Sequence, residues 1–167
     1  THLQFMARFF THYADLGFGS RETYLNATPL YFGGGRAFSI SALYVGATAV
    51  LFAPPHTPQS LSAEIARTGT TITFLVPTLL RRLLAAPAEI VAPFARLHTL
   101  ISSGSPLSES DRIQIRNRLC PSFIEYYSST EAHGMTFISA PEWLAHPGSV
   151  GRSVLGVLHI CDDDGNE

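Results

Sequence analysis

The chain has 167 residues, 46% of them hydrophobic and 14% charged, and a formal net charge of -2 at pH 7. That length suffices for one domain with a sizeable core, and so low and balanced a charge excludes the general electrostatic footprint of a nucleic-acid or anionic-membrane binder. Residues 37–63 carry no Asp, Glu, Lys or Arg, but Gly46 and Pro54-Pro55 interrupt them, leaving apolar pieces short of the roughly 20 residues that a spanning helix needs.

Leu3–Tyr13 has a helical pattern, and "YLNATPLYF", Tyr24–Phe32, reads as a partly buried strand running into Pro29. Gly33-Gly34-Gly35 is expected to break regular structure by admitting backbone conformations that other residues resist, with a helix from Arg36 to Val45. "ATAVLF" after Gly46 has the short, partly β-branched character of a strand. Thr57-Pro58 pairs an N-cap residue with proline at the first helical position, and Leu61 and Ile65 share a face before Gly69 stops that helix. "TTITFLV" is the next strand, and Pro77 opens a helix carrying Leu79, Leu80, Leu83 and Leu84. "LHTLI" reads as a strand that ends at Ser102-Ser103-Gly104-Ser105-Pro106. Ser108 then caps a helix, with Asp111 three positions on and Glu109 complementing the positive helix end. "SFIEYY" is again a strand, followed by the hydroxyl-rich "SSTEAHG", and the stretch Pro141–Gly151 reads as irregular.

Short apolar strands alternating with helices imply βαβ units, and hence an α/β fold with a mainly parallel sheet flanked by helices. Residues 1–167 read as a single α/β subdomain. Thr1 is not a methionine, and "CDDDGNE" at the end resembles a hairpin tip, so an excised piece of a longer protein is expected. Arg81/Arg82 and Arg112/Arg116 fall on helical stretches without interleaved aromatics and are expected to be solvated. Cys120 and Cys161 lie far apart with no ligand spacing around them, so neither a zinc site nor a disulfide framework is suggested, and a reducing, cytoplasmic setting fits best.

In open parallel sheets, ligands collect beyond the carboxyl ends of strands. Ser102–Leu107 and Ser128–Glu131 both sit at such ends and are expected to form one pocket. No G-x-S-x-G elbow is present, "GFGSRE" and "GGGRAF" fail the G-x-G-x-x-G pattern, and no Walker lysine loop occurs. None of the seven histidines has metal-ligand spacing, so each is expected to be a surface or packed residue. Taken singly, Tyr127 reads equally as a buried core tyrosine, and Glu131 as an exposed loop acid.

The segments "LYVGATAVL", "VPTLLRRLL", "SSGSPLSES", "YSSTEA" and "GSVGRSVLGVLHICDDDGNE" resemble, in this order and spacing, parts of the large N-terminal domain of the AMP-forming adenylate-forming superfamily. That superfamily comprises acyl-CoA synthetases, peptide-synthetase adenylation domains and luciferases. The resemblance runs nearly the full length. It implies ATP-dependent activation of a small-molecule carboxylic acid to an acyl-adenylate, with transfer to CoA and with magnesium as the metal. By similarity, Glu131 would bind Mg²⁺, a hard cation that prefers oxygen ligands, and Thr130 would meet the α-phosphate, with Ser129 beside it on the nucleotide. Tyr127 would lay its ring on the adenine, with the backbone of Gly104, Ser105 and Pro106 across the other face. Phe32, Gly33, Ser103 and Ser128 would border the acid.

Two departures from the family pattern matter. Ser128 stands where glycine often follows the motif tyrosine, and Phe32 stands where many aryl ligases have histidine, which argues against a histidine-gated aryl site and for an apolar acyl group. Between Tyr24 and Gln59 there is no acidic residue, although amino-acid-activating relatives place an aspartate in this region. A buried ammonium without a counter-charge is expensive, so a plain carboxylic acid is favoured. The phosphate loop and the catalytic lysine of the small C-terminal domain would lie outside this chain, so it is expected to be inactive alone. A peptide-synthetase-type adenylation domain, or a non-catalytic nucleotide-binding or interaction module, is the alternative.

Overall fold

The computed structural model describes residues 2–129, 133–153 and 156–167. Among them the chain lays down strands β1 (Thr23–Asn26), β2 (Thr48–Leu51), β3 (Ile72–Phe74), β4 (Thr99–Ser102), β5 (Phe123–Ser129), β6 (His133–Ser139) and β7 (Arg152–Ser153). These form one sheet in the order β2-β1-β3-β4-β5-β6-β7. The first five are mutually parallel, and β6 and β7 add on antiparallel. β3 and β4 are buried along their whole length, which a parallel sheet requires when helices cover both of its faces.

Alternation along the strands divides the core in two. Leu25, Leu100 and Phe123 face a cluster with Leu61, Ile65, Leu80, Leu83 and Ile115, supplied by helices α3 (Pro58–Thr68), α4 (Pro77–Leu84) and α6 (Glu109–Arg118). Tyr24, Ile72, Phe74, Ile101 and Tyr126 face a second cluster with Leu16, Phe38 and Ala42, supplied by α1 (His2–Leu16) and α2 (Gly33–Tyr44). Successive strand residues point to opposite faces, so one sheet holds two helical layers. Between α4 and β4 lie α5 (Ala88–Val91) and a 3-10 turn (Ala92–Arg96), both unexpected from the sequence.

Helix starts follow the cap chemistry. Thr57 Oγ1 accepts from Ser60 N while Ser60 Oγ accepts from Thr57 N, a reciprocal capping box, and Gly69 closes α3 in the left-handed region at φ 65°. Ser108 Oγ accepts from Asp111 N at 3.1 Å to begin α6. The same chemistry starts a helix where irregular chain was expected: Ser139 and Glu142 form a capping box, with Pro141 in the first turn, and open α7 (Ala140–Ala145).

Two local expectations are corrected. The strand expected over Tyr24–Phe32 ends at Asn26, whose side chain turns the backbone away from the sheet. Asn26 Oδ1 accepts from Thr28 N at 3.1 Å and its Nδ2 donates to Thr28 O at 2.8 Å. The triple glycine does not break structure; it is the first turn of α2, which begins at Gly33 rather than at Arg36. Its glycines serve close approach. A Cβ at Gly35 would stand 2.8 Å from Pro29 O and 2.9 Å from Thr28 O, and one at Gly34 would stand 3.0 Å from the Phe74 ring. The tight seat brings α2 onto the carboxyl end of β3. Among the described residues no helix is long and apolar enough to cross a membrane.

Candidate active site

β4 and β5 are neighbours in parallel register, with Ser102 opposite Glu125, so the chain beyond both emerges at the same edge of the sheet. There the loop at Ser103–Pro106 faces the end of β5, and the Ser103 and Ser128 hydroxyl oxygens stand 3.5 Å apart. The two polar segments expected to share a pocket are thus brought together. An irregularity in the β5–β6 pairing falls between Tyr127 and Ser128, the kind of bulge that re-aims side chains at a sheet end.

Two cavities adjoin at this edge. The larger, of about 520 Å³, is lined by Phe32, Gly33 and Gly34 from the start of α2, by Ala37, Phe38, Phe74, Val76 and Leu79, and by Ser103, Gly104, Tyr126, Ser128 and Ser129. The smaller, of about 260 Å³, is lined by Ser102–Pro106, Arg112, Glu125, Tyr126, Tyr127, Ser128, Ile138 and Val150. Ser103, Gly104, Tyr126 and Ser128 belong to both and form the partition between them.

Every candidate residue that is described lies on one or both cavities. Ser105, Pro106 and Tyr127 are on the smaller, Phe32, Gly33 and Ser129 on the larger, and Gly104, Ser103 and Ser128 on the partition. Ser129, expected on the nucleotide side, lines the larger cavity. Thr130 and Glu131 lie outside the described residues. Tyr127 is 51% exposed, unlike the buried Tyr126 beside it, so the core-tyrosine alternative belongs to its neighbour. Gly104 has φ 102° and nothing within 4 Å of where a Cβ would stand. Its backbone conformation requires glycine, and the space in front of it is open. Ser102 Oγ is buried on the smaller cavity with no hydrogen-bond partner among the described residues.

Arg81, Arg82 and Arg116 are exposed as expected, and Arg112 is not. Arg81 Nε pairs with Asp111 at 3.0 Å and its Nη2 donates to Pro106 O at 3.3 Å, so α4 and α6 clamp the loop that borders the smaller cavity. Arg112 Nε lies 2.5 Å from Glu125 Oε2, and each side chain is only 14% exposed. Burial pushes the Glu125 carboxyl above its ordinary range, and the Arg112 guanidinium pulls partly the other way. The physical reason for the difference is that α6 lies over β5, so an arginine on its inner face meets a carboxylate on the strand.

Two histidines on the larger cavity carried no signal as ligands. His56 donates Nε2–H to Phe52 O at 3.0 Å, and His12 is buried between α1 and α2. His12 shares a helix face with the buried Phe9 and Leu16; a titratable residue on a core stripe is the pattern that would have marked it. Among the described residues no group of three or more His, Cys, Asp or Glu side chains is placed to hold a metal ion.

The fold agrees with what the chain is similar to. The model of the AMP-binding enzyme family matches residues 1–167. A benzoate–CoA ligase of Thauera aromatica is 32% identical over 154 residues, covering 91% of this chain and 29% of that protein. Among solved structures, a benzoate CoA ligase from Burkholderia xenovorans LB400 superimposes with a TM-score of 0.85 at 24% identity, covering 99% of this chain and 34% of that one. An o-succinylbenzoate CoA synthetase from Bacillus subtilis, in complex with ATP and magnesium ion, superimposes with a TM-score of 0.82 at 19% identity, covering 98% and 34%. These structural likenesses show the fold, and the chain spans about a third of the length of the proteins it matches. Matched by the family model from end to end, this α/β chain belongs to the AMP-binding enzymes, the adenylate-forming superfamily.

Proposed function

We propose that the chain forms the acid- and nucleotide-binding part of an AMP-forming ligase that joins a carboxylic acid to the α-phosphate of ATP, releases pyrophosphate, and passes the acyl group to CoA. The observation that carries this reading is the shared partition. An acid in the larger cavity and a purine in the smaller one would meet at Ser103, Gly104, Tyr126 and Ser128. The adenine would lie between the Tyr127 ring and the Gly104–Pro106 backbone. The solved Bacillus subtilis relative held ATP and magnesium ion, in keeping with that use of the fold.

In the reaction, an oxygen of the acid attacks the α-phosphorus and the bond to pyrophosphate breaks. Holding the two reactants across one wall supplies much of the advantage by orientation. The Ser103 and Ser128 hydroxyls, close to each other, would donate to the carboxylate and to the phosphoryl oxygens on which charge accumulates. By the resemblance alone, Thr130 would meet the α-phosphate and Glu131 would help hold magnesium, whose positive charge would offset the charge building on the phosphoryl oxygens. All eleven cationic side chains other than histidine are arginines. Any lysine that stabilises the transition state would therefore come from beyond these 167 residues, and the chain alone is expected not to turn over.

The lining favours a ring-bearing acid. Phe32, Phe38, Phe74 and Tyr126 surround the larger cavity, and none of its described lining residues is acidic, so a substrate ammonium would find no counter-charge there. With Phe32 in place of a gating histidine, the aryl group would be held by packing rather than by a polar gate.

The test is acid-dependent ATP–pyrophosphate exchange by the full-length enzyme. Benzoate-type acids are expected to support exchange at least tenfold better than the aromatic amino acids, which carry an added ammonium. Exchange driven by amino acids and not by aryl acids would refute the assignment.

A further inference from the structure

The chain between β4 and α6 is anchored at both ends and open in the middle. Ser102 is buried at the end of β4, and Leu107 is buried in the core that α3, α4 and α6 build on one face of the sheet. The Leu107 N–H donates to the Glu125 carboxylate on β5, which Arg112 pairs from α6. Between these anchors Gly104, Ser105 and Pro106 are exposed and form an arch along the smaller cavity. Where a Cβ of Gly104 would stand there is nothing within 4 Å, so no neighbour packs against the arch on that side.

One side chain from outside the cavity takes hold of the arch. Arg81 stands in the last turn of α4 and lines neither cavity. Its Nη2 donates to Pro106 O at 3.3 Å, while its Nε pairs with Asp111 Oδ2 at 3.0 Å. Asp111 is itself fixed, because its N–H donates to Ser108 Oγ at the start of α6. Partial burial works against the charged Asp111 carboxyl, but its bonds to Arg81 and Ser108 hold it below the ordinary carboxylate range. A guanidinium is a rigid planar fork, so the carboxylate that steers one nitrogen aims another at the carbonyl. The Arg81 side chain is half exposed, and an ion pair so placed adds little to folding stability. Its distinctive effect is on where the Pro106 carbonyl stands.

Resting on the proposed use of the smaller cavity for the purine, we infer that Arg81 is a positioning residue for ATP. By gripping the Pro106 carbonyl it holds the Gly104–Pro106 backbone ready to cover one face of the base before the base arrives. Fixing a loop in its bound form raises affinity, because binding no longer carries the cost of ordering it. The grip acts on the cover of the base and not on the phosphates. The acid's cavity meets this part of the chain through Val76 and Leu79, at the other end of α4, so the effect of Arg81 falls on the nucleotide and spares the acid.

The experiment measures kcat and the KM for ATP, for the acid and for pyrophosphate in the full-length enzyme and in its Arg81→Met and Asp111→Asn variants. Arg81→Met is expected to raise the KM for ATP about 4- to 15-fold, with kcat and the other two KM values within about twofold and the unfolding midpoint nearly unchanged. Asp111→Asn keeps an oxygen for Arg81 Nε and should raise the KM for ATP less than about twofold. Arg81→Lys keeps the ion pair and the stem but not the fork; it is expected to show the same selective rise, so the comparison holds even if Arg81→Met unfolds. Equal rises for ATP, acid and pyrophosphate, or an unchanged KM for ATP, would overturn the inference. So would an Asp111→Asn effect as large as that of Arg81→Met, by showing a plain ion pair between α4 and α6. Tyr127→Ala separates this inference from the reading it rests on. If that variant raises the KM for ATP and Arg81→Met does not, the purine site stands and the positioning role falls; if neither raises it, both fall.

Discussion

Arg112→Ala is expected to lower the stability of the folded enzyme by about 2–4 kcal/mol, because it strands the Glu125 carboxylate in a wall that water barely reaches. The two side chains are 2.5 Å apart and each is only 14% exposed, so neither can simply turn out into solvent. Glu125 already has its carboxyl pushed up by burial, with Arg112 opposing; without the guanidinium it rises further. The sign of the pH dependence follows. A carboxyl whose folded value lies above its unfolded one binds more protons when folded, so stability falls as pH rises from the unfolded value through the folded one. The variant extends that fall to higher pH, and its deficit should therefore grow from acid toward neutral pH and shrink on acidification. Denaturant unfolding across that range checks both the size and the sign. Adding Glu125→Leu to Arg112→Met should restore most of the loss, since an apolar pair of similar volume leaves no charge behind. A pH-independent deficit, or no rescue by the double change, would mean that the arginine acts by its packing over Trp143, whose ring centroid is 5.9 Å away.

Tyr127→Ala is the second large effect. Tyr127 is half exposed and lines the smaller cavity together with Gly104–Pro106, and its ring belongs to neither of the two main buried clusters. Removing a ring that stacks on a base costs about 1–3 kcal/mol, so the KM for ATP should rise about 5- to 150-fold, while the KM for the acid changes little. Tyr127→Phe should retain nearly all of the affinity, because stacking needs the ring and not the hydroxyl. Equal weakening of ATP and acid would place Tyr127 in the general architecture of the site instead.

The site was partly legible in the sequence because its loops have distinctive chemistry. Ser102-Ser103-Gly104-Ser105-Pro106 is a cluster of hydroxyls with a glycine and a proline after an apolar run, and such clusters mark strand ends. The alternation of β1–β5 with helices was readable for the same reason, since each crossover is bounded by a cap, a proline or a glycine. β6 and β7 were not, because antiparallel additions at a sheet edge are set by pairing with β5 and leave no crossover signature. The first turn of α2 was misjudged because three glycines suggest freedom in sequence, whereas here they make room for Pro29 O, Thr28 O and the Phe74 ring. The partner of Arg112 was out of reach of local reading, and for His12 the helix stripe could have marked burial but not its partners. His12 meets Ser41 and Tyr126 across 29 and 114 residues, and only the docking of α1 and α2 on the sheet brings them together.

The account turns on an acid and a purine lying on opposite sides of the Ser103–Ser128 partition. A crystal structure of the full-length enzyme with a non-hydrolysable aryl-adenylate analogue tests it most directly. The expected result has the adenine against Tyr127 and the Gly104–Pro106 backbone, the linkage beside Ser103 and Ser128, and the aryl ring among Phe32, Phe38 and Phe74. An analogue bound away from the ends of β4 and β5, or with base and ring in exchanged cavities, would contradict it.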